Sequence, residues 1–185
     1  RDVGDISHGS RTAKTEAIAR QLKAFVSRFM PDAMFKSALT TQDMYHNGAL
    51  TLMLLAKDEQ SAGAPYSLDA TAEMVRKQMT REHIFSQTPN CTFASGGFAD
   101  ETDYVEHLHT FGNMTLLSKS ENSKCNNKAV HTKLTETDLY ASSIYAEPRA
   151  LAADYGARGG AFGKSDIEKR SLNLADYVGA RWAIW

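Results

Sequence analysis

Hydrophobic residues recur with helical spacing over most of the chain, beginning near its start. The first helix is predicted from Thr12 to Pro31, where the proline ends it. Its apolar face, spaced i, i+4, i+7 and i+11, consists of Ile18, Leu22, Phe25 and Phe29. The second element is a short helical segment that Asp32 opens.

A second long helix is predicted to be capped at Thr40, Thr41 or Asp43. Its spacing predicts a buried face made of Tyr45, Ala49, Leu52 and Ala56, with Leu55 beside it. Residues 58–69 are rich in Gly, Pro and Ser, which indicates an exposed loop. A third helix is predicted over residues 70–80.

After residue 80 the pattern changes to short extended and polar segments. A strand is predicted in REHIFSQ (81–87), followed by a loop over 88–100 and a short helix from 101 to Gly112. Residues 113–118, NMTLLS, have the length and composition of a second strand. A short helix is predicted within the polar stretch that follows.

Two helices are predicted to complete the chain, separated by the glycine-rich loop 156–164. The last one is expected to begin with a capping box from Ser165 to Glu168 and to end near Trp182. Trp182 and Trp185 are interpreted as packing anchors. The pattern therefore predicts a mainly α fold with one strand–loop–strand–helix island between about residues 80 and 130.

Composition places the chain among ordinary globular proteins. Hydrophobic residues make up 42% and charged residues 23% of its 185 residues, and the net charge is −1. Cys91 and Cys125 are too few for a disulfide framework, which favours a reducing, cytoplasmic setting. No run approaches the roughly 20 apolar residues that cross a bilayer, so no membrane partner is expected. The opening has no Met start and no signal-peptide architecture, so we expect a fragment of a longer protein.

The polar residues of the island match the requirements of phosphodiester hydrolysis. A histidine can accept the proton of the attacking water near neutral pH, and a hard cation held by oxygen ligands can stabilise the developing charge. Glu82 and His83 offer the carboxylate and the base, and Asn113 and Asn122 offer polar side chains nine residues apart. Neighbours on a strand point to opposite faces, so Glu82 and His83 can share a site only where the strand ends or twists.

These residues resemble the HNH, or ββα-metal, nuclease motif of the His-Me finger type. More closely, the island is similar to the GmrD-like nuclease domain at the C terminus of GmrSD-type modification-dependent restriction enzymes. That family reads E-H-I-x-P-Q, then G-N-L-T-L-L, then an Asn and a Lys. The matching positions are Glu82-His83-Ile84, Gln87, Gly112 to Leu117, Asn122 and Lys133. The same architecture occurs in SspE-like phosphorothioate-sensing phage-defence proteins.

The resemblance implies a role for each matched residue. His83 would be the general base, and Asn113 would orient its imidazole through the backbone of the loop. Glu82 and Asn122 would hold one divalent ion, Mg²⁺ or Mn²⁺. Phosphate contacts would come from Lys124, Asn127, Lys128 and Lys133. The implied fold is mainly α with a small ββα-metal core.

The resemblance also implies a domain layout and partners. The whole chain, 1–185, would be one HNH nuclease domain, with a helical part at 12–80, the core at 81–134 and C-terminal helices at 135–185. It would nick or cleave double-stranded DNA as the effector of a restriction or phage-defence protein. An N-terminal NTPase or modification-sensing domain would lie outside this chain.

Other interpretations of the same residues stay open at this point. An E-H pair by itself is most often a surface pair, a G-N before a strand is often a turn, and Asn122 could be a helix cap. A DNA-binding module without catalysis, or a toxin-type HNH nuclease with an immunity partner, would carry the same pattern. Ser86 replaces the usual proline, and 30 residues separate His83 from Asn113. His107 and His109 are predicted to be surface or partly buried structural residues, although one of them could approach DNA. The sequence identifies no partner for His8 or His46.

Overall fold

The computed structural model describes residues 32–88 and 90–182, together with helical positions 16–18, 20, 21 and 24. Of the predicted first apolar face, only Ile18 is described, and it is 47% exposed. Leu22, Phe25 and Phe29 lie outside the described residues, as do Pro31, His8 and Trp185.

Within the described chain, helices surround one small sheet. The first strand is preceded by α1 (Asp32–Thr41), α2 (Leu50–Ala62) and α3 (Leu68–Arg76), and α4 (Glu101–Leu108) lies between the two strands in the chain. The second strand is followed by α5 (Lys119–Cys125), α6 (Val130–Thr135), α7 (Ala146–Gly156) and α8 (Lys164–Arg181). Short 3₁₀ turns span Phe93–Gly96, Phe111–Asn113 and Tyr140–Ser142. The sheet strands are β1 (Met79–His83) and β2 (Met114–Ser118).

The two strands form an antiparallel pair that α5 follows directly. Glu82 lies opposite Thr115, and His83 lies opposite Met114. Ser118, the last residue of β2, accepts a hydrogen bond from the Glu121 backbone N–H, while the Glu121 carboxylate accepts one from the Ser118 backbone N–H. This capping box starts α5 immediately after the strand and so fixes where Asn122 lies.

β2 separates two hydrophobic clusters because its side chains alternate between faces. Leu116 packs with Leu50, Leu54 and Leu174 in one cluster. Leu117 packs in the other, with a set of aromatic residues that includes Phe85, Tyr104, Tyr140 and Phe162. Every residue of β2 is buried, which is expected of a strand that is covered on both faces.

A buried polar network joins α2, α7, α8 and β2. The Glu147 carboxylate is paired with the Arg170 guanidinium and accepts a hydrogen bond from Thr115. Arg170 also donates to the carbonyl of Gly112. Asp58 accepts from the backbone N–H of Glu147 at 2.6 Å. A buried charge is tolerated when it is paired and hydrogen-bonded, as Glu147 and Arg170 are. Asp58 is hydrogen-bonded but has no ion pair among the described residues.

Two predictions about the second helix are wrong in detail. The helix begins at Leu50, about seven residues after the last of the caps predicted at residues 40–43. Leu52 is 58% exposed, because packing against α7 and α8 turns Leu50 and Leu54 inward. Ala56 is buried, as predicted. The helix also continues to Ala62, into the stretch that was predicted to be a loop.

Other boundaries differ for identifiable reasons. α3 ends at Arg76 because Gln78 adopts a left-handed backbone conformation (φ 54°), so Thr80 is in β1 rather than in the helix. α8 begins at Lys164, and its first turn is held by the Asp166 carboxylate, which accepts from Gly163 N–H at 2.9 Å. The capping box predicted at Ser165 and Glu168 is therefore wrong. Trp182 is 37% exposed and not a core anchor.

Candidate active site

The candidate site is built where β1 ends. Glu82 and His83 are the last two residues of the strand, and both are buried. The strand pairing stops there, and the chain turns so that both side chains line one cavity of about 180 Å³. The geometric condition stated for these neighbours, that the strand must end or twist, is met.

Glu82 is held by an ion pair inside the protein. Its Oε1 lies 2.8 Å from the Nζ of Lys133, and Tyr140 Oη lies 3.3 Å from the same oxygen. Burial raises the pKa of this carboxyl, although the Lys133 charge and hydrogen bonds from Lys133 and Tyr140 act in the opposite direction. The Glu82 carboxylate therefore depends on the Lys133 charge to offset the free-energy cost of its burial.

His83 uses one ring nitrogen in a protein contact. Its Nε2 lies 3.0 Å from Nδ1 of His109. Burial, with smaller contributions from His109 and Lys133, lowers the pKa of His83 to about 3, so the ring is neutral at physiological pH. Its Nδ1 has no hydrogen bond to the described residues. Tyr145 Oη is the single fully buried polar side-chain atom without a partner there, so His83 Nδ1 keeps access to solvent.

Asn113 lies behind the cavity and holds the chain that follows His83. Its Oδ1 accepts from Phe85 N–H at 2.8 Å, and its Nδ2 donates to Phe85 O at 3.2 Å and to Leu108 O at 2.8 Å. Its backbone carbonyl accepts from Ile84 N–H at 2.9 Å. With no exposed surface, Asn113 ties the segment after β1 to the end of α4.

Asn122 faces the cavity from the first turns of α5. Its Nδ2 donates to Thr80 Oγ1 at 3.1 Å and to the Arg81 carbonyl at 3.2 Å. The amide nitrogen of Asn122 is thus hydrogen-bonded to β1. Its Oδ1 accepts no hydrogen bond from the described part of the chain, so this oxygen is available to a ligand. Asn122 and Glu82 thus line the same cavity.

The predicted phosphate-contact residues fall into three groups. Asn127 lines the cavity. Lys124 and Lys128 are exposed and do not line it. Lys133 is fully buried, and its Nζ contacts His83 O at 2.7 Å and Ile84 O at 3.2 Å in addition to Glu82. An ammonium has three donors, so these three partners account for Lys133 within the protein.

Three site residues were missed by reading the sequence. The ring of Tyr45 lies 4.6 Å from that of His83 and is stacked on His109 at 5.3 Å, between centroids. His46 lies edge-on to His109 at 5.6 Å and pairs with Asp43 at 2.8 Å, so it does have partners. These residues belong to the α1–α2 turn and to the end of α4, and no local spacing signals that they meet β1.

The oxygen atoms of the cavity fit a hydrated hard cation. Mg²⁺ is commonly held by one or two protein oxygens and keeps several waters. Glu82 supplies a carboxylate and Asn122 an amide oxygen with solvent access, and the cavity walls are mostly polar. Among the described residues no group of three or more His, Cys, Asp or Glu could hold a metal. Glu82 and Asn122 are the residues of this cavity whose oxygen atoms could hold a hard cation.

Comparison with protein families matches residues 29–177 to GmrSD restriction endonucleases, C-terminal domain. The chain belongs to this family. The match spans the sheet, the two hydrophobic clusters except Val178, and most of α8. No curated protein and no solved structure gives a match. Every residue assigned above to the cavity of this GmrSD C-terminal domain lies inside the matched range.

Two further findings concern the setting of the domain. Both cysteines are free, and Cys125 is buried in the hydrophobic cluster that contains Leu117. None of the helices in the described part of the chain is long and apolar enough to cross a membrane.

Proposed function

We propose that this GmrSD C-terminal domain is a metal-dependent DNA endonuclease with an HNH, ββα-metal core formed by β1, β2 and α5. One observation carries the proposal. Glu82 and His83 at the end of β1 and Asn122 on α5 line one polar cavity, and Asn113 holds the loop that follows His83. A carboxylate, a neutral histidine and an amide oxygen are the groups that hydrolysis of a phosphodiester requires.

In this proposal His83 is the general base. Its neutral imidazole has Nδ1 directed to solvent, where it can take a proton from the attacking water. Asn113 holds the backbone of the residues that follow His83, and this keeps the His83 ring at the cavity. Positioning of this kind matters because small displacements of a reacting group cost large factors in rate.

Glu82 and Asn122 would hold the divalent ion. When bound, the ion would stabilise negative charge on the phosphate and the leaving oxygen. Lys133 would keep the Glu82 carboxylate ionised and oriented in the buried site. Direct phosphate contact by Lys133 is not part of the proposal, since its three donors have protein partners.

DNA would lie along the surface that continues from the cavity. A neighbouring cavity of about 660 Å³ shares Tyr45, Arg81 and Asn122 with the site and extends to Lys119. Lys124 and Lys128 are exposed nearby on α5 and after it. Cationic side chains along such a groove would bind the phosphate backbone without reading sequence. The lysines are proposed as contacts of double-stranded DNA on this ground.

The wider setting is proposed from the family. Restriction of modified DNA, or phage defence of the SspE type, would require an N-terminal sensing or NTPase domain of the same protein. Comparing modified and unmodified plasmid as substrates of the full-length protein tests whether a DNA modification licenses cutting.

The decisive experiment is cleavage of supercoiled plasmid with Mg²⁺ or Mn²⁺. The wild-type protein should nick or linearise the plasmid, EDTA should stop the reaction, and His83→Ala should lower the rate by at least about 100-fold. His107→Gln is the matched control, because His107 lies outside the cavity and pairs with Asp103 and Glu168. A folded His83→Ala variant that cuts as well as the parent would show that the mechanism is wrong.

One observation favours a second function, DNA binding without catalysis. The Lys133 ammonium occupies the Glu82 carboxylate that a metal would use. Plasmid binding with no cleavage at any Mg²⁺ or Mn²⁺ concentration would support that alternative.

A further inference from the structure

His109 contacts the ring of the proposed base, His83, but does not line the cavity. Its Nδ1 lies 3.0 Å from His83 Nε2, at the end of α4. The family motif does not include this position. His109 is held in place by its backbone carbonyl, which accepts from Met44 N–H at 2.8 Å, and by the stacked ring of Tyr45.

When two imidazoles that share a hydrogen bond each carry a single proton, the bond constrains both tautomers. One nitrogen must donate and the other must accept. If His83 Nε2–H donates to His109 Nδ1, the single proton of His83 is on Nε2 and its Nδ1 carries a lone pair. If His109 donates instead, the proton of His83 is on Nδ1, and the nitrogen that faces solvent cannot act as a base.

The base role proposed for His83 requires the first arrangement, because only that arrangement leaves a lone pair on the ring nitrogen that faces solvent. His83 Nε2–H then donates to His109 Nδ1, 3.0 Å away. In that arrangement the proton of His109 is on its own Nε2, away from His83. The Nδ1 of His109 then carries the lone pair that accepts the hydrogen bond. The partner of the second ring nitrogen commonly decides which nitrogen of a functional histidine is protonated.

We propose that His109 is a positioning residue that accepts a hydrogen bond from His83 Nε2–H and thereby leaves His83 Nδ1 unprotonated toward the cavity. The inference rests on the proposed nuclease function for its effect on rate, but its tautomer can be observed without any activity. His109 does not touch substrate in this proposal.

Two isosteric substitutions test the contact at its own nitrogen. The carboxamide of Asn places an oxygen near the position of Nδ1, whereas that of Gln reaches the position of Nε2. His109→Ala and His109→Gln should therefore lower kcat for plasmid cleavage by about 10- to 100-fold, and His109→Asn should recover most of the wild-type kcat. KM for DNA should stay within about threefold in all three variants, because binding is not involved.

The second measurement is the tautomer of His83 by ¹⁵N NMR of its imidazole. Wild-type protein should show His83 protonated on Nε2, and His109→Ala should show a mixture of tautomers. Nδ1 protonation in the wild type would overturn the inference, and so would equal kcat for the Asn and Gln variants.

The two proposals fail in different ways. A wild-type protein that does not cut DNA, but whose His83 carries its proton on Nε2, would overturn the nuclease and keep the positioning contact. A protein that loses cleavage in His83→Ala but keeps full kcat in folded His109→Ala would keep the nuclease and overturn the role of His109.

Discussion

At the scale of single residues, the buried pair of Glu82 and Lys133 decides how the site is stabilised. The two charged groups are 2.8 Å apart and both are almost fully buried. An unpaired buried charge destabilises the fold by more than the intact pair stabilises it. Each partner therefore offsets the free-energy cost of removing the other from water. The carboxylate can then serve the cavity without destabilising the end of β1.

Replacing Lys133 by Met should destabilise the protein by about 3–5 kcal/mol, because Glu82 would be left as an unpaired buried charge. Urea unfolding at neutral pH measures this loss. Lys128→Met is the matched control, and since Lys128 is exposed its effect should be within about 0.5 kcal/mol.

The double variant Glu82→Gln/Lys133→Met separates charge from shape. Removing the carboxylate charge should restore part of the stability that Lys133→Met loses. A double variant that is less stable than Lys133→Met alone would show that the ion pair is not the cause.

At the scale of elements, the close packing of α8 on the turn before β2 places Asn113. A Cβ at Gly112 would lie 1.9 Å from the carbonyl oxygen of Ile167 and 2.6 Å from Ser171 Oγ. Gly112 N–H also donates to Ser171 Oγ at 2.8 Å, and Gly112 O accepts from Arg170. α8 therefore packs directly against the backbone immediately before Asn113, and only a residue without a Cβ allows the two backbones to come this close.

Gly112→Ala should destabilise the protein by about 3 kcal/mol, near the upper end for overpacking, because the obstructing atom is helix backbone and cannot rotate away. Cleavage activity should fall with it, since Asn113 would move. Thermal unfolding and plasmid cleavage measure the two effects.

Gly48→Ala is the control for this substitution. No atom lies within 4 Å of a Cβ at Gly48, so its stability should change by less than about 1 kcal/mol. Equal losses in the two variants would contradict the account of α8 packing.

Much of the element order was predictable from sequence. Periodicity and Gly/Pro punctuation indicated α1, α3, α4, β2, α7 and α8, with boundaries wrong by a few residues. The long helix α2 was misplaced because its buried face is chosen by contact with α7 and α8, which are about 100 residues away in the chain. The end of α3 was missed because left-handed Gln78 carries no sequence signal.

At the scale of the whole molecule, the network of Asp58, Glu147 and Arg170 links the first half of the chain to the last helix. Asp58 also accepts a hydrogen bond from Tyr66 Oη at 2.6 Å. Burial raises the pKa of the Asp58 carboxyl, although hydrogen bonds from the Glu147 backbone and Tyr66 act in the opposite direction.

The sign of this shift predicts how stability depends on pH. Above the pKa of about 3.9 in the unfolded chain, folded Asp58 still binds a proton that the unfolded chain has lost. Its contribution to stability is therefore complete below that value and is lost as pH rises through the raised folded pKa.

Asp58→Asn removes this titration and keeps a group that can accept from Glu147 N–H. The free energy of unfolding of the variant minus that of the wild type should increase as pH rises from about 4 to 7. Urea unfolding across this range measures the difference. A difference that stays constant or decreases would show that burial does not raise the pKa of Asp58.

The sequence by itself determined the family and the position of the candidate site along the chain. The order and spacing of Glu82, His83, Asn113 and Asn122, with the strand and capping patterns around them, identified the family and the candidate site, because the motif is carried by short segments with local signals. Only the tertiary structure decided that Lys133 is a buried partner of Glu82 and that Tyr45 and His109 surround His83. Those contacts join residues 26 to 51 positions apart, and packing of separate elements sets them, so no periodicity along the chain can encode them.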